Sequence, residues 1–392
     1  MTTTTRRDVL LVGAYERDNF GDSLFLLATE RLLEGRALAS SVVSSDMTDV
    51  LGRRVVSTDA ALRAASWRAV WVVGGEIGGV TVQDALPMSL ADPLGSEYEQ
   101  LSPAERTDFD AFVSGLDGQA PAYLPELGRY PRAADTRLVV HSVGLTGAER
   151  DADGAITGRE AVALRGATSV TVREDGSRAA AEGAGIPVST SPDLVHALPA
   201  LFPDLAARTS TVGDERRSLV FQMNRGLVHH HGAEELAGVL VGIATEHDAR
   251  VLLFPAGTAR HHDSPEQYDE LLSAVRTLGP DVDARVVTTR DPLGLAQVVA
   301  SAFCWIGSSL HGRIVSSAYG VPRVSLDVDK VTRYATTWDP DLPAGVTLDE
   351  VPEAVRSALA AAGSPEQVAH GRELVEEASS RGRAVAAEAL RG

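Results

Sequence analysis

Cysteine is almost absent from this chain of 392 residues, with Cys304 the only one. That excludes an internal disulfide and a cysteine-rich zinc site, and it fits a reducing compartment. No apolar run reaches the roughly 18 residues that a membrane-spanning helix requires. The opening MTTTTRRDVLLVGAY has an apolar stretch too short for the hydrophobic region of a secretory signal, and it runs into what reads as a strand. Positive charge is also scarce: 54 acidic residues outnumber 36 basic ones, for a formal charge of −18. Binding to nucleic acid or to an anionic membrane needs clustered cations, so neither is expected. The G-x-G-x-x-G fingerprint, the Walker loop and the G-x-S-x-G elbow are all missing. What is left is an acidic, cytoplasmic globular protein. Its 44% hydrophobic content and its length suit two to three domains, each with its own core.

Short β-branched runs alternate with segments of helical period. DVLLVGA (8–14), AVWVV (69–73), RLVVHSV (137–143) and SVTVR (169–173) read as strands, the first buried on both faces. Helices are expected over Ser23–Arg36 and Asp175–Glu182, the latter stopped by Gly183–Gly185. A second alternation follows the polar stretch ARTSTVGDERR (207–217). SLVFQM (218–223), ARVLLFP (249–255), ARVVT (284–288) and AFCWIG (302–307) read as strands there. Helices over Glu234–Glu246, Pro265–Leu278 and Pro292–Ala300 lie between them. The pattern predicts an α/β protein of two Rossmann-like domains facing across a cleft, over 1–206 and 217–392. The second domain includes a helical tail from Pro352, whose end (Ala384–Leu390) could pack on the first domain or on a neighbouring chain. Residues 81–136 break the rhythm with an acidic, Pro- and Gly-rich stretch. It reads as a solvated insertion of one or two surface helices, or as a lid.

Candidate site residues cluster where strands end, since ligands of open α/β sheets bind outside the carboxyl ends of the strands. After the first strand, Asn19-Phe-Gly-Asp22 leads into a helix. It is either an anion-binding turn or an ordinary one capped by Asp22. Gly75 and Glu76 end the second strand. Arg173 ends another, where a guanidinium can grip a carboxylate or phosphate bidentately or form a salt bridge to Glu174 or Asp175. Asp193 and Arg225 sit at further strand ends. In WIGSSLHGR, Ser308, Ser309, His311 and Arg313 occupy a turn and the first helical turn after it, where the dipole favours an anion. Lys330 follows the next short strand, and in a chain so dominated by arginine a lysine there draws notice. Three consecutive histidines, His229-His230-His231, cannot all aim at one ion and have no acidic or cysteine partner at ligand spacing, and the adjacent run His261-His262-Asp263 is similar, so no metal site is expected.

Taken in order, GAYERDNFGDSL, VVGGE, HSVGLTG, SVTVREDGSRAAAEGAGI with SPDLVHAL, and WIGSSLHGRIVSSAYGVPRVSLDVDK resemble the polysaccharide pyruvyl transferase family over roughly residues 8 to 335. The resemblance implies a two-domain, glycosyltransferase-B-like architecture. It also implies transfer of the enolpyruvyl part of phosphoenolpyruvate to a sugar or other hydroxylated acceptor, giving a pyruvate ketal and phosphate with no cofactor. It carries the catalytic arginine, histidine and lysine onto Arg173, His311 and Lys330. The chain departs from the family pattern at Glu76, where a third glycine is usual, and at Ser23, where an acid is usual. A glycosyltransferase using a nucleotide-sugar, with Asp327 or Asp329 on the ribose, would share the architecture, as would a carbohydrate-binding relative without activity.

Overall fold

The computed structural model describes residues 7–205 and 217–391, so most of the polar stretch read as the junction lies outside the described residues. The chain divides into two compact units, Met1–Leu194 with Ala378–Gly392, and Val195–Glu377. The first unit therefore ends ahead of residue 206 and takes back the end of the helical tail, which the sequence reading gave to the second.

The first unit is built on eight strands: β1 (Arg7–Val12), β2 (Ala37–Ser41), β3 (Ser45–Met47), β4 (Arg53–Ser57), β5 (Trp67–Val73), β6 (Arg137–Val143), β7 (Ser169–Val172) and β8 (Ser189–Thr190). Their order is β3-β4-β2-β1-β5-β6-β7-β8, and only β3 runs antiparallel. Leu10 lies opposite both Leu38 and Val70, and β1 is buried from Val9 onward because it sits mid-sheet with both faces covered. The strand order reverses between β1 and β5, which places a topological switch point at their carboxyl ends.

Helix Phe20–Leu33 begins three residues before the expected start. Its N-cap is Asn19, whose Oδ1 accepts from Gly21 N at 3.0 Å and Asp22 N at 3.2 Å, and not Asp22.

Residues 81–136 form helices Val82–Ser89, Leu94–Gln100 and Pro103–Ser114, followed by two single 3₁₀ turns. They are not a solvated insertion. Val82, Leu86, Tyr98, Tyr123, Leu124 and Tyr130 belong to the same hydrophobic core as β1, β5 and β6. Composition misleads here because the acids stay mostly at the surface while the segment's tyrosines and aliphatic residues turn inward, with carboxylates to receive the tyrosine hydroxyls. Tyr98 donates to Asp110 at 2.9 Å and Tyr130 to Asp59 at 3.0 Å, so both carboxylates are buried with a partner.

The second unit holds five parallel strands, β9 (Arg217–Gln222), β10 (Ala249–Leu253), β11 (Ala284–Val286), β12 (Cys304–Gly307) and β13 (Arg323–Ser325), in the order β11-β10-β9-β12-β13. Helices Ala233–His247 and Pro265–Leu278 pack Leu236, Leu240, Leu271 and Val275 onto Leu219, Val251 and Ile306. The switch point of this sheet lies between β9 and β12. Burial pushes the Cys304 thiol up to about 12, so it stays protonated and inert.

Candidate functional site

In the first unit the carboxyl ends of β5, β6, β7 and β8 carry one charged cluster. Arg173 directly follows β7, its backbone N–H donating to Val143 O at 3.0 Å. Its side chain is only 2% exposed, with Nη2 3.2 Å from Glu76 Oε2 and Nη1 3.8 Å from Asp193 Oδ2. The salt bridge foreseen to Glu174 or Asp175 is thus made to Glu76 and Asp193 instead. Asp175 pairs with Arg178, and Glu174 turns inward, its Oε1 accepting from Thr146 Oγ1 at 2.5 Å and Ser177 Oγ at 2.8 Å. Thr146 serves both acids, since its backbone N–H donates to Glu76 Oε1 at 2.8 Å.

Glycine is required at one point of this cluster. A Cβ on Gly144 would lie 2.2 Å from Glu76 Oε2 and 3.0 Å from Arg173 Nη2. Gly75, in the left-handed region at φ 77°, accepts at its carbonyl from Gly144 N at 2.8 Å, so its part is to shape the backbone. Asn19 likewise serves as a helix cap, and Asp22 stands in the first turn of that helix.

A second cluster on the same edge was not visible in sequence. Glu16, after β1, accepts from Tyr123 OH at 3.0 Å, Ser89 Oγ at 2.6 Å, Arg17 Nη1 at 3.2 Å and Ser41 Oγ. Burial, reinforced by Glu16, raises the Tyr123 hydroxyl well above its ordinary range, which keeps it a donor. The segment 81–136 thus reaches the ends of β1 and β2 through Ser89 and Tyr123.

In the second unit the turn after β12 is held from beneath. Ser308 N and Oγ both donate to Gln222 Oε1, at 3.0 and 3.1 Å. The Gln222 amide faces Asp263 at 3.4 Å, and Asp263 accepts from Ala256 N at 2.6 Å and Tyr268 OH at 3.2 Å. Gln222, Asp263 and Tyr268 are therefore the residues that set this turn, although nothing in their local sequence marks them. Ser309 caps helix Leu310–Ala318 by accepting from Gly312 N at 3.3 Å, and the half-buried His311 is the second residue of that helix.

Arg313 requires a correction. It is buried, with Nη1 on Ser325 Oγ and Pro343 O, and Nη2 on the carbonyls of Asp339 and Leu342 and the Asp339 carboxylate. Its guanidinium pins the 339–343 loop. Burial lowers it to about 10, with Asp339 opposing the shift. Ser308 and Ser309 are occupied in the same local way, as the turn and its cap. Arg225 is exposed at the first position of helix Arg225–His231, and Lys330 is exposed in the first turn of helix Asp329–Trp338. His231 lies 3.6 Å from Glu235, and among the described residues no group of His, Cys, Asp or Glu is arranged to hold a metal ion. No described helix is long and apolar enough to cross a membrane.

No curated protein sequence matches the chain at significance. Solved structures share its fold. UDP-N-acetylglucosamine 2-epimerase from Rickettsia bellii superimposes with a TM-score of 0.51 at 9% identity, covering 97% of this chain and 96% of that one. The UDP-GlcNAc 2-epimerase of Methanocaldococcus jannaschii gives 0.50 at 8% identity, over 96% and 98%. Likeness at this identity shows the architecture alone, the glycosyltransferase-B type with two Rossmann-like units. The family model described as polysaccharide pyruvyl transferase matches residues 19–330, a span that runs from the Asn19 cap to Lys330 and takes in Glu76, Arg173, Asp193 and His311. The chain belongs to the polysaccharide pyruvyl transferase family and is an enzyme of that type.

Proposed function

We propose that the protein moves the enolpyruvyl group of phosphoenolpyruvate onto two hydroxyls of a sugar or glycan, closing a pyruvate ketal and releasing phosphate. The observation that carries this reading is Arg173, a rigid guanidinium at the carboxyl edge of the first sheet and inside the family match. An acidic protein holds a compact polyanion only where local positive charge is fixed in place.

Lys330 supports the same reading. It is the single lysine of the chain, and the other 35 of its 36 basic residues are arginine. A lysine kept at this one place supplies a compact, mobile point charge that a planar guanidinium does not.

The reaction needs no change of oxidation state. A proton adds to the methylene carbon, C2 becomes electrophilic, and the first acceptor hydroxyl adds to it with loss of its proton. The C2–O bond to phosphate then breaks, its electron pair leaving with phosphate, while the second hydroxyl bonds to C2 and gives up its proton. His311, at a helix N-terminus, serves as acid–base group for a hydroxyl or for the departing phosphate, a contribution of roughly 10²–10⁴-fold. A cytoplasmic location, where phosphoenolpyruvate is made, accompanies this reading.

Calorimetric titration with phosphoenolpyruvate and with UDP-sugars tests it, using wild type, Arg173→Lys, Lys330→Ala and His311→Gln. Phosphoenolpyruvate is expected to bind wild type and to bind the first two variants at least tenfold more weakly. His311→Gln should keep its affinity and lose turnover. Heat from a UDP-sugar, with none from phosphoenolpyruvate, would overturn the reading in favour of glycosyl transfer.

A further inference from the structure

The carboxylate of Glu76 already sits where an anionic ligand of Arg173 would sit. Its Oε2 lies 3.2 Å from Nη2, in the space left by the missing side chain of Gly144. The two partners differ in freedom. Arg173 is 2% exposed, whereas the Glu76 side chain is 27% exposed.

The Glu76 backbone is fixed, bridging to Gly144, with Ile77 N donating to Gly144 O at 3.0 Å. Only the Glu76 side chain, which is partly exposed, can therefore leave. Charge gives it a reason to leave. Arg173 faces both Glu76 and Asp193, so two carboxylates meet one guanidinium. A phosphoryl or carboxylate ligand reaching Arg173 Nη2 meets the Glu76 carboxylate until that side chain turns away.

We propose that Glu76 is a displaceable internal ligand of Arg173, a specificity-determining residue that mimics the anion of the donor and sets its affinity. The free enzyme keeps its anchoring guanidinium covered, and a donor binds by exchanging its own anionic group for the Glu76 carboxylate. Weak or monoanionic ligands fail to make the exchange. Glu76 competes with the bound donor and not with the transition state, so its removal lowers KM without raising kcat. The choice of phosphoenolpyruvate as probe rests on the function proposed above, whereas the exchange itself does not.

The test is calorimetry with phosphoenolpyruvate, inorganic phosphate and a UDP-sugar on wild type, Glu76→Gln, Arg173→Lys and the double variant. Glu76→Gln keeps the size of the side chain and its acceptor oxygen for Thr146 N, so the fold should persist. It is expected to bind phosphoenolpyruvate roughly five- to fiftyfold more tightly than wild type. That gain should vanish in the double variant. Equal or weaker binding of every one of the three ligands by folded Glu76→Gln overturns the proposal, and so does silence from all three, because uncovering Arg173 must expose an anion site. A gain for phosphate or the UDP-sugar, but none for phosphoenolpyruvate, would leave the exchange standing and remove the donor assignment.

Discussion

His141 makes the first unit sensitive to acid by a calculable amount. It stands near the end of β6, fully buried, with its ring centroid 5.8 Å from that of Trp71. Neither ring nitrogen has a hydrogen-bond partner among the described residues. Burial, with a smaller contribution from Arg381, lowers its pKa from 6.5 to about 4, so it is neutral in the fold. The unfolded chain binds a proton at His141 below pH 6.5 that the fold refuses. The stability held by the neutral ring is therefore complete above pH 6.5 and lost as pH falls from there toward 4. At 1.36 kcal/mol per pH unit the loss reaches about 2 kcal/mol near pH 5. His141→Phe removes the titration and leaves no broken hydrogen bond, so near pH 7 its stability should stay within about 1.5 kcal/mol of wild type. The assay is urea unfolding near pH 7 and near pH 5, followed by tryptophan fluorescence, with the two pH losses subtracted to cancel the carboxylates common to both proteins. Wild type should lose about 2 kcal/mol more than the variant. Equal losses, within about 0.5 kcal/mol, would refute the claim that His141 is held neutral by burial.

The second unit carries the same device in His196, which burial lowers to about 3, and His196→Phe should flatten the acid dependence of that unit in the same unfolding experiment. Asp339 balances two buried guanidiniums, Arg313 at 2.8 Å and Arg323 Nε at 2.7 Å, so Asp339→Asn leaves uncompensated charge and should cost about 3–5 kcal/mol of denaturant stability. Because Lys330 is the single lysine, an amine-directed label should modify one side chain besides the α-amino group. Phosphoenolpyruvate should protect that side chain if it binds there, as peptide mass mapping will read.

The strands most legible in sequence were those whose burial demanded a long apolar run, as in β1, β5, β6 and β9, while β7, β10, β11 and β12 were read from shorter β-branched or apolar runs. β2 and β4 escaped because ALASS and RRVVS do not look buried. Ser40 and Ser41 can sit inside because their hydroxyls donate, that of Ser40 to Leu11 O at 2.8 Å and that of Ser41 to the Glu16 carboxylate. At the site, strand-end position was enough to place Glu76, Arg173 and Asp193 on one edge. It could not tell a residue that faces a ligand from one that holds a turn. Asn19, Ser309 and Arg313 have the right chemistry for an anion, yet local geometry engages their polar groups within a few residues or in the adjoining loop. Gln222, Asp263, Glu16 and Tyr123 were illegible for the opposite reason. Their partners lie far away in sequence, as in Gln222 with Ser308 and Glu16 with Tyr123, and no spacing rule reaches that far.

The last helix, Pro365–Leu390, changes what the word domain means for this chain. Its first half belongs to the second unit and its second half to the first, so the second unit is in effect inserted within the first. At Gly382 the returning half packs tightly: a Cβ there would lie 2.8 Å from Leu194 and 2.9 Å from Leu32, and Ala378, Ala386 and Ala389 of the same half are buried. During synthesis the first unit must wait with that face of helix Phe20–Leu33 uncovered until residues 378–391 have left the ribosome. A gene fragment ending after Leu194 would inherit the same exposed face for good, so the first unit can be isolated only by grafting residues 378–391 back onto it.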